Sequence, residues 1–197
     1  MVDNAWCVFT TEAVVDVRTA ILQAGAALLK ERGIAALTQP KVAKAAGVKQ
    51  SHLTYYFPKR SDLLLGIAAH TIDGLMADLA ARLETSAPQT AITETLGAAM
   101  INGIPPRIML GLIIAADEEP GLRPSLSNLI RSVRARIQTL LERAGIPESG
   151  KAALLLHAAV VGLAVMHQAQ RTPASADDAR HGVAEIIRLL GADPAGK

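Results

Sequence analysis

Cysteine, aromatic side chains and an overall charge bias are all scarce in this chain. Cys7 is the only thiol in 197 residues, which excludes an intramolecular disulfide and a thiolate metal cluster and fits a reducing compartment. Aromatics make up 3% of the residues, and all five (Trp6, Phe9, Tyr55, Tyr56, Phe57) lie within the first 57 positions. No β-branched and aromatic residues alternate at strand spacing, which argues against an all-β protein. No Lys or Arg precedes the short apolar run in residues 1–10, so the basic start of a signal peptide is missing. Residues 152–169 form the one stretch near membrane-span length, but it carries His157 inside and His167 near its end, and a span needs roughly 20 mostly apolar residues. Burial of every face inside protein gives the same pattern. The expectation is a cytoplasmic chain that does not enter a membrane.

Half of the residues are hydrophobic and 19% are charged, a composition that excludes disorder and supplies a large core. The net charge is only +2, yet it is unevenly placed. Residues 17–65 hold eight bases (Arg18, Lys30, Arg32, Lys41, Lys44, Lys49, Lys59, Arg60) against two acids (Glu31, Asp62), whereas residues 66–197 hold twelve bases against thirteen acids. Two readings of the basic segment are open on charge alone: an anion-binding head on a neutral body, or a solvated surface.

Gly and Pro divide the chain into helix-length pieces. Val17, Ile21, Ala24 and Leu28 recur at i, i+4, i+7 and i+11 within 17–32, and Gly33 ends that run. Thr38 is a good N-cap before Pro40, which a first helical turn tolerates, and the short helix runs to 46. A third helix over about 49–57 stops at Pro58, and a long fourth covers about 61–85. Further helices are expected at 88–102, 107–116, 125–144, 150–170 and 175–190, with Gly103, Pro105 and Pro106 breaking the chain between the first two of these. The reading is all-α, about nine helices, with no repeat at a fixed period.

Residues 38–57, TQPKVAKAAGVKQSHLTYYF, describe two short helices joined by Ala46-Gly47-Val48, the helix-turn-helix arrangement. Val42, Ala43 and Ala46 face inward from the first, and Val48, Leu53 and Phe57 meet them from the other side. With Leu53 inward, Ser51, His52, Thr54 and Tyr55 point outward or flank. That face is polar and uncharged, where a merely soluble surface usually carries Glu and Lys. Its donors and acceptors suit base edges in the major groove, with Gln50 able to bond adenine in bidentate fashion and His52 or Ser51 able to reach purine acceptors. Lys41, Lys44, Lys49, Lys59 and Arg60 form a rim suited to phosphates. Tyr55 and Tyr56 add hydroxyls, unless one of them completes the three-helix core. Thr38 and Gln39, at the start of the first short helix, complete the candidate DNA-contacting set.

In this pattern the sequence resembles the TetR-type transcriptional regulators (the TetR/AcrR group). The matching residues are Gly33, Thr38, Val42, Ala43, Ala46-Gly47-Val48, Leu53, Tyr56-Phe57, Arg60 and Asp62-Leu63, with detailed agreement over about 17–66. Three positions depart from the family outline. Thr54 replaces a frequent Tyr, Ser51 replaces Gly or Pro, and Lys59 stands at the usual Ser cap of the fourth helix, leaving Ser61 or the backbone to cap it. These departures bear on which operator is read.

The resemblance implies an N-terminal arm and DNA-binding domain over 1–62 and a C-terminal effector-binding and dimerisation domain over 63–197. It also implies a repressor rather than an activator. One head reads few bases, so double-stranded DNA with palindromic half-sites about 34–36 Å apart calls for a homodimer. Val183, Ile186, Ile187 and Leu190 line one face of 175–190, and residues 151–170 are apolar nearly all round. Together they suit a four-helix interface between two copies; an ordinary core helix in a monomer is the other reading. A small-molecule pocket in the body is likewise implied, and His70, Met100, Asn102, Met109, Ile113, His157, Val161 and Gln168 are its candidate residues. His157, Val161, Ala164 and Gln168 share one helix face. No aromatic follows Phe57, so the body has no ring to stack on a planar dye, and the expected effector is aliphatic or modestly polar.

Nothing points to an enzyme. The histidines form no HExxH, and there is no G-x-S-x-G, no P-loop and no pair of carboxylates in a plausible pocket context. Asp117-Glu118-Glu119 beside Pro120 reads as a solvated loop, and no metal or cofactor is expected. A helical sensor or protein-interaction module with a vestigial DNA-binding head is the alternative function.

Overall fold

The computed structural model describes residues 11–102, 104–146 and 148–191. Trp6, Cys7, Phe9 and the N-terminal arm, and the expected break at Gly103, lie outside the described residues. Among the described residues there are nine α-helices and no strand: α1 (Thr11–Arg32), α2 (Gln39–Ala45), α3 (Gln50–Tyr56), α4 (Arg60–Thr85), α5 (Pro88–Asn102), α6 (Ile104–Glu118), α7 (Arg123–Arg143), α8 (Ser149–Gln170) and α9 (Pro173–Gly191), with 3-10 turns at Ile34–Ala36 and Pro120–Leu122. The helices form two compact units, Met1–Leu63 and Leu64–Lys197, so the boundary falls within α4.

In the first unit α1, α2 and α3 pack on one another. The expected stripe on α1 is displaced. Ile21 is buried, but Ala24 and Leu28 are only half-buried, while Leu22 and Leu29 take the core. The apolar face of α1 is wider than four positions, and its centre lies one residue beyond the expected line. Leu37, Val42, Ala43, Leu53, Phe57 and Leu63 complete the buried set. The turn between α2 and α3 is closed by backbone bonds alone. Val48 N–H donates to Ala43 O at 3.0 Å and Gly47 N–H to Lys44 O at 3.3 Å, a Schellman arrangement that requires Gly47 at φ 68°.

The second unit is built around α5, α7, α8 and α9. Leu79, Ile92, Leu96, Met100, Leu141, Leu156, Val183 and Ile187 share one buried cluster. The prolines expected to break the chain sit in the first turn of α6, where a missing N–H costs nothing. A Cβ on Gly182 would lie 2.9 Å from Leu163 Cδ1, so the bare glycine sets how closely α9 approaches α8. The corner between those helices is fixed by a reciprocal cap. Ser175 N–H donates to Thr172 Oγ1 at 3.1 Å and Thr172 N–H to Ser175 Oγ at 3.2 Å, while buried His167 Nδ1 lies 2.9 Å from the same Ser175 Oγ. Arg136 of α7 reaches Asp73 of α4 at 2.5 Å.

Two helices, α4 and α8, are long and apolar enough by composition to cross a membrane, and only 28% of the apolar window of α8 is buried. Leu154, Leu155 and Met166 of α8 are exposed. The α9 stripe read as an interface is largely spent within the protomer: Val183 and Ile187 are fully buried, and Ile186 and Leu190 pack against the same cluster. The reason is the close α8–α9 approach, which turns that stripe toward α5 and α8.

Candidate functional site

The short helix α3 presents an exposed polar face. Gln50, Ser51, His52 and Tyr55 are exposed, and Leu53 opposite them is fully buried. The spacing dictates this, because seven residues give two turns and only Leu53 and the following Phe57 fall on the inward line. Tyr55 is 80% exposed and is held edge-to-face against half-buried Tyr56, with ring centroids 5.2 Å apart. Tyr56 thus buttresses Tyr55 while keeping part of its own ring in the packing. Thr54 is half-buried, and its hydroxyl lies 3.1 Å from Gln50 O and 3.2 Å from Ser51 O. It donates to its own helix.

The cationic rim divides into two kinds. Lys41, Lys44 and Lys49 are exposed, and no ion pair among the described residues includes them, so their charges face solvent. Arg60 is engaged internally: its Nε donates to Leu37 O at 3.1 Å and its Nη2 to Ile34 O at 3.4 Å. Gln39 is engaged similarly, donating from Nε2 to Phe57 O at 2.7 Å and Pro58 O at 3.2 Å. These two side chains brace the chain on either side of the helix-turn-helix. Thr38 occupies the N-cap position of α2 with extended backbone, but its side chain makes no capping bond. At the start of α4, Ser61 is buried. Asp62 Oδ2 accepts Lys59 N–H at 3.0 Å, the half of a capping box that runs backward from the third helical residue. The sequence reading missed Arg18 as a structural group: its guanidinium carbon sits 5.6 Å from the centre of the Phe57 ring, a cation–π contact at the end of α3.

The second unit contains an apolar cavity of about 90 Å³ among α4, α5, α6, α7 and α8, lined by residues including Leu75, Met76, Met100, Met109, Ile137 and Val161. Of the eight candidate effector residues, Met100, Met109, His157 and Val161 reach it, and His70, Asn102, Ile113 and Gln168 do not. Asn102 borders a different surface depression with Arg180, and Ile113 is 47% exposed. Gln168 shares the helix face of His157 but is drawn aside as a tie, accepting from Arg107 Nε at 3.0 Å and donating to Met100 O at 3.4 Å. Identity of helix face was the wrong guide here, because eleven residues along a helix carry a side chain about 16 Å away. His157 is the one ionisable residue of the lining. Burial, and secondarily the charge of Arg134, holds its imidazole below the usual histidine range, which keeps it neutral near pH 7.

An all-helical head with a short, polar, cation-flanked second helix, joined to a larger helical body, defines a helix-turn-helix transcriptional regulator. Residues 21–67 match the family model described as bacterial regulatory proteins, tetR family, and residues 107–191 match that of the tetracyclin repressor-like C-terminal domain. The chain belongs to the TetR family of DNA-binding transcriptional regulators, whose members are regulators rather than enzymes and are cytoplasmic. It is 25% identical over 186 residues to the HTH-type transcriptional regulator CymR of Pseudomonas putida, covering 90% of this chain and 92% of that one. Its fold resembles that of a putative TetR-family regulator from Rhodococcus sp. at a TM-score of 0.71 and 23% identity, over 90% of this chain and 100% of the other. It also resembles the multidrug binding protein EbrR complexed with ethidium, at a TM-score of 0.62 and 21% identity over 86% of this chain and 97% of the other.

Proposed function

We propose that the chain acts as a homodimeric, cytoplasmic repressor that reads a palindromic operator through paired α3 helices and answers to a small aliphatic or modestly polar effector. Residues 1–62 serve as the DNA-binding domain and 63–197 as the effector-binding and dimerisation domain. The observation that carries this is the exposed α3 face of Gln50, Ser51, His52 and Tyr55 beside the exposed Lys41, Lys44 and Lys49. Gln50, Ser51 and His52 address base edges, and Tyr55 and the lysines address phosphates. Gln39, Thr54, Tyr56 and Arg60 support that face from behind, and Thr38 and Lys59 stand at its margins.

Dimerisation is supported by α8. Leu155, Ala158, Gly162 and Met166 are all exposed and fall at steps of three, four and four residues, one continuous apolar stripe with small residues at its middle. Lipid is a poor cover for it, because Asp177, Asp178, Arg180, His181, Glu185 and Arg188 on the adjacent α9 are exposed as well. A second copy covers the stripe without desolvating those charges.

The effector is a property of the cavity. Its wall is aliphatic and thioether, with His157 the one ionisable side chain, which suits a small aliphatic or modestly polar molecule. The EbrR relative is complexed with ethidium, but no ring follows Phe57 in this chain to stack on such a ligand.

A gel shift on the DNA upstream of the protein's own coding sequence, at two salt concentrations, tests the reading. A discrete complex that outlasts competition by unrelated duplex and weakens steeply with salt is the expected result. Binding no stronger than to unrelated duplex would instead mark the head as vestigial.

A further inference from the structure

His157 is the one residue of the cavity lining whose side chain carries a nitrogen or an oxygen. It is half-buried, and no hydrogen bond among the described residues engages its imidazole. A neutral imidazole has one donor and one acceptor nitrogen, and burial keeps this one neutral near pH 7. A ligand that displaces water from an apolar wall leaves such a ring unpaired, at a cost, unless it brings a partner of its own. The rest of the lining offers nothing to an anion. It holds no Lys or Arg, and the first turn of α6 meets the cavity through Pro105 and Pro106. Those two residues lack the N–H groups that a helix N-terminus otherwise turns toward negative charge. The lining is therefore apolar and free of charged side chains, with a single hydrogen-bonding side chain on α8.

We propose that the effector is an uncharged aliphatic molecule with one hydroxyl or carbonyl oxygen, its chain among Leu75, Met76, Met100 and Met109 and its oxygen on the His157 imidazole. This rests on the reading of the cavity as the effector site. Charge selects the class first. An ionised carboxylate or phosphate would leave water for a wall without a cation, a loss larger than one hydrogen bond to a neutral ring returns. An ammonium fares no better, because the lining holds no acidic side chain and no aromatic face for it. Hydrogen-bond number selects next. One imidazole serves one head group, and a second hydroxyl or an amide further along the chain would be buried against Leu and Met side chains without a partner.

Calorimetric titration of the full-length protein at pH 8 with pentan-1-ol, pentanoate and 1-chloropentane tests this. The three probes share a five-carbon chain and differ in the head. Pentan-1-ol is expected to bind about tenfold or more tighter than pentanoate, which is ionised at that pH. His157→Phe keeps a ring but removes its polar atoms. It should weaken pentan-1-ol relative to 1-chloropentane by about threefold to tenfold, the increment of one neutral hydrogen bond. His157→Gln, which still offers a donor and an acceptor, should keep the ratio of those two probes near that of the unaltered protein. Val161→Phe places a ring in the cavity and should abolish binding of pentan-1-ol. Pentanoate bound as tightly as the alcohol by the unaltered protein overturns the inference of an uncharged ligand and leaves the cavity reading standing. An alcohol-to-chloroalkane ratio that His157→Phe does not change removes the imidazole from the site and overturns the inference likewise. Binding of none of the three probes overturns both readings. Pentan-1-ol that still binds to Val161→Phe is held elsewhere, and both fall.

Discussion

Arg60 separates two roles that a basic residue beside a recognition helix can play. Charge pattern places it with the lysines of the phosphate rim, yet its guanidinium is turned onto the carbonyls of Leu37 and Ile34. Arg60→Ala should therefore cost stability rather than electrostatic grip. The bond to Leu37 O, at 3.1 Å and part-buried, is worth about 1.5 kcal/mol, the low end for a charged donor. The bond to Ile34 O, at 3.4 Å and exposed, adds little. For a chain of this size about 1.5 kcal/mol lowers Tm by roughly 3–6 °C. The paired measurement is the salt dependence of operator binding. Arg60→Ala should leave the slope of log K against log salt unchanged, whereas Lys49→Ala should reduce its magnitude by about 0.9, the contribution of one phosphate contact, and leave Tm within about 2 °C. Thermal unfolding followed by circular dichroism and fluorescence anisotropy at four or five salt concentrations supply both readouts. An Arg60→Ala protein with unchanged Tm and a slope reduced by one would show that the arginine leaves these carbonyls to hold DNA, and the division of the rim would be wrong.

Three further outcomes follow from the same geometry. Gly47→Ala meets no atom within 4 Å, so its cost is the left-handed backbone alone, about 1–2 kcal/mol, read as a lower denaturation midpoint for the head. His157 has its folded pKa lowered by burial and then by Arg134; the unfolded chain therefore takes up a proton first as pH falls below the ordinary histidine value of about 6.5. Stability is fully present above that pH and is lost as pH falls through it toward the folded value, and His157→Gln should remove this part of the pH dependence in urea titrations between pH 7 and pH 5. Met166→Glu places a charge on the exposed stripe of α8 and should turn a dimer into a monomer by light scattering; a dimer of unchanged mass would move the interface elsewhere.

Legibility of the fold tracked the range of the interactions involved. Helix existence is written locally in Gly, Pro and a 3.6-residue period, and Gly47 alone announces the turn that the Ala43–Val48 bond closes. The exposed face of α3 was equally readable, since placing Leu53 inward fixes where Ser51, His52 and Tyr55 point. What the pattern did not reveal depends on partners distant in sequence. Gln39 and Arg60 carry the residue types of a DNA contact, and only the three-dimensional nearness of Phe57 O and Leu37 O shows that their donors are engaged. The α9 stripe likewise has one period whether it faces α5 or a second copy, and only the placement of Val183 and Ile187 in the shared cluster shows which of its residues are already covered. Arg134 is the converse case. Its charge on a surface-bearing helix gave no reason to single it out, yet its position between the inward Val133 and Ile137 draws its Nε out of water. A basic residue interleaved with core positions on one helix is thus the local signal for a buried donor.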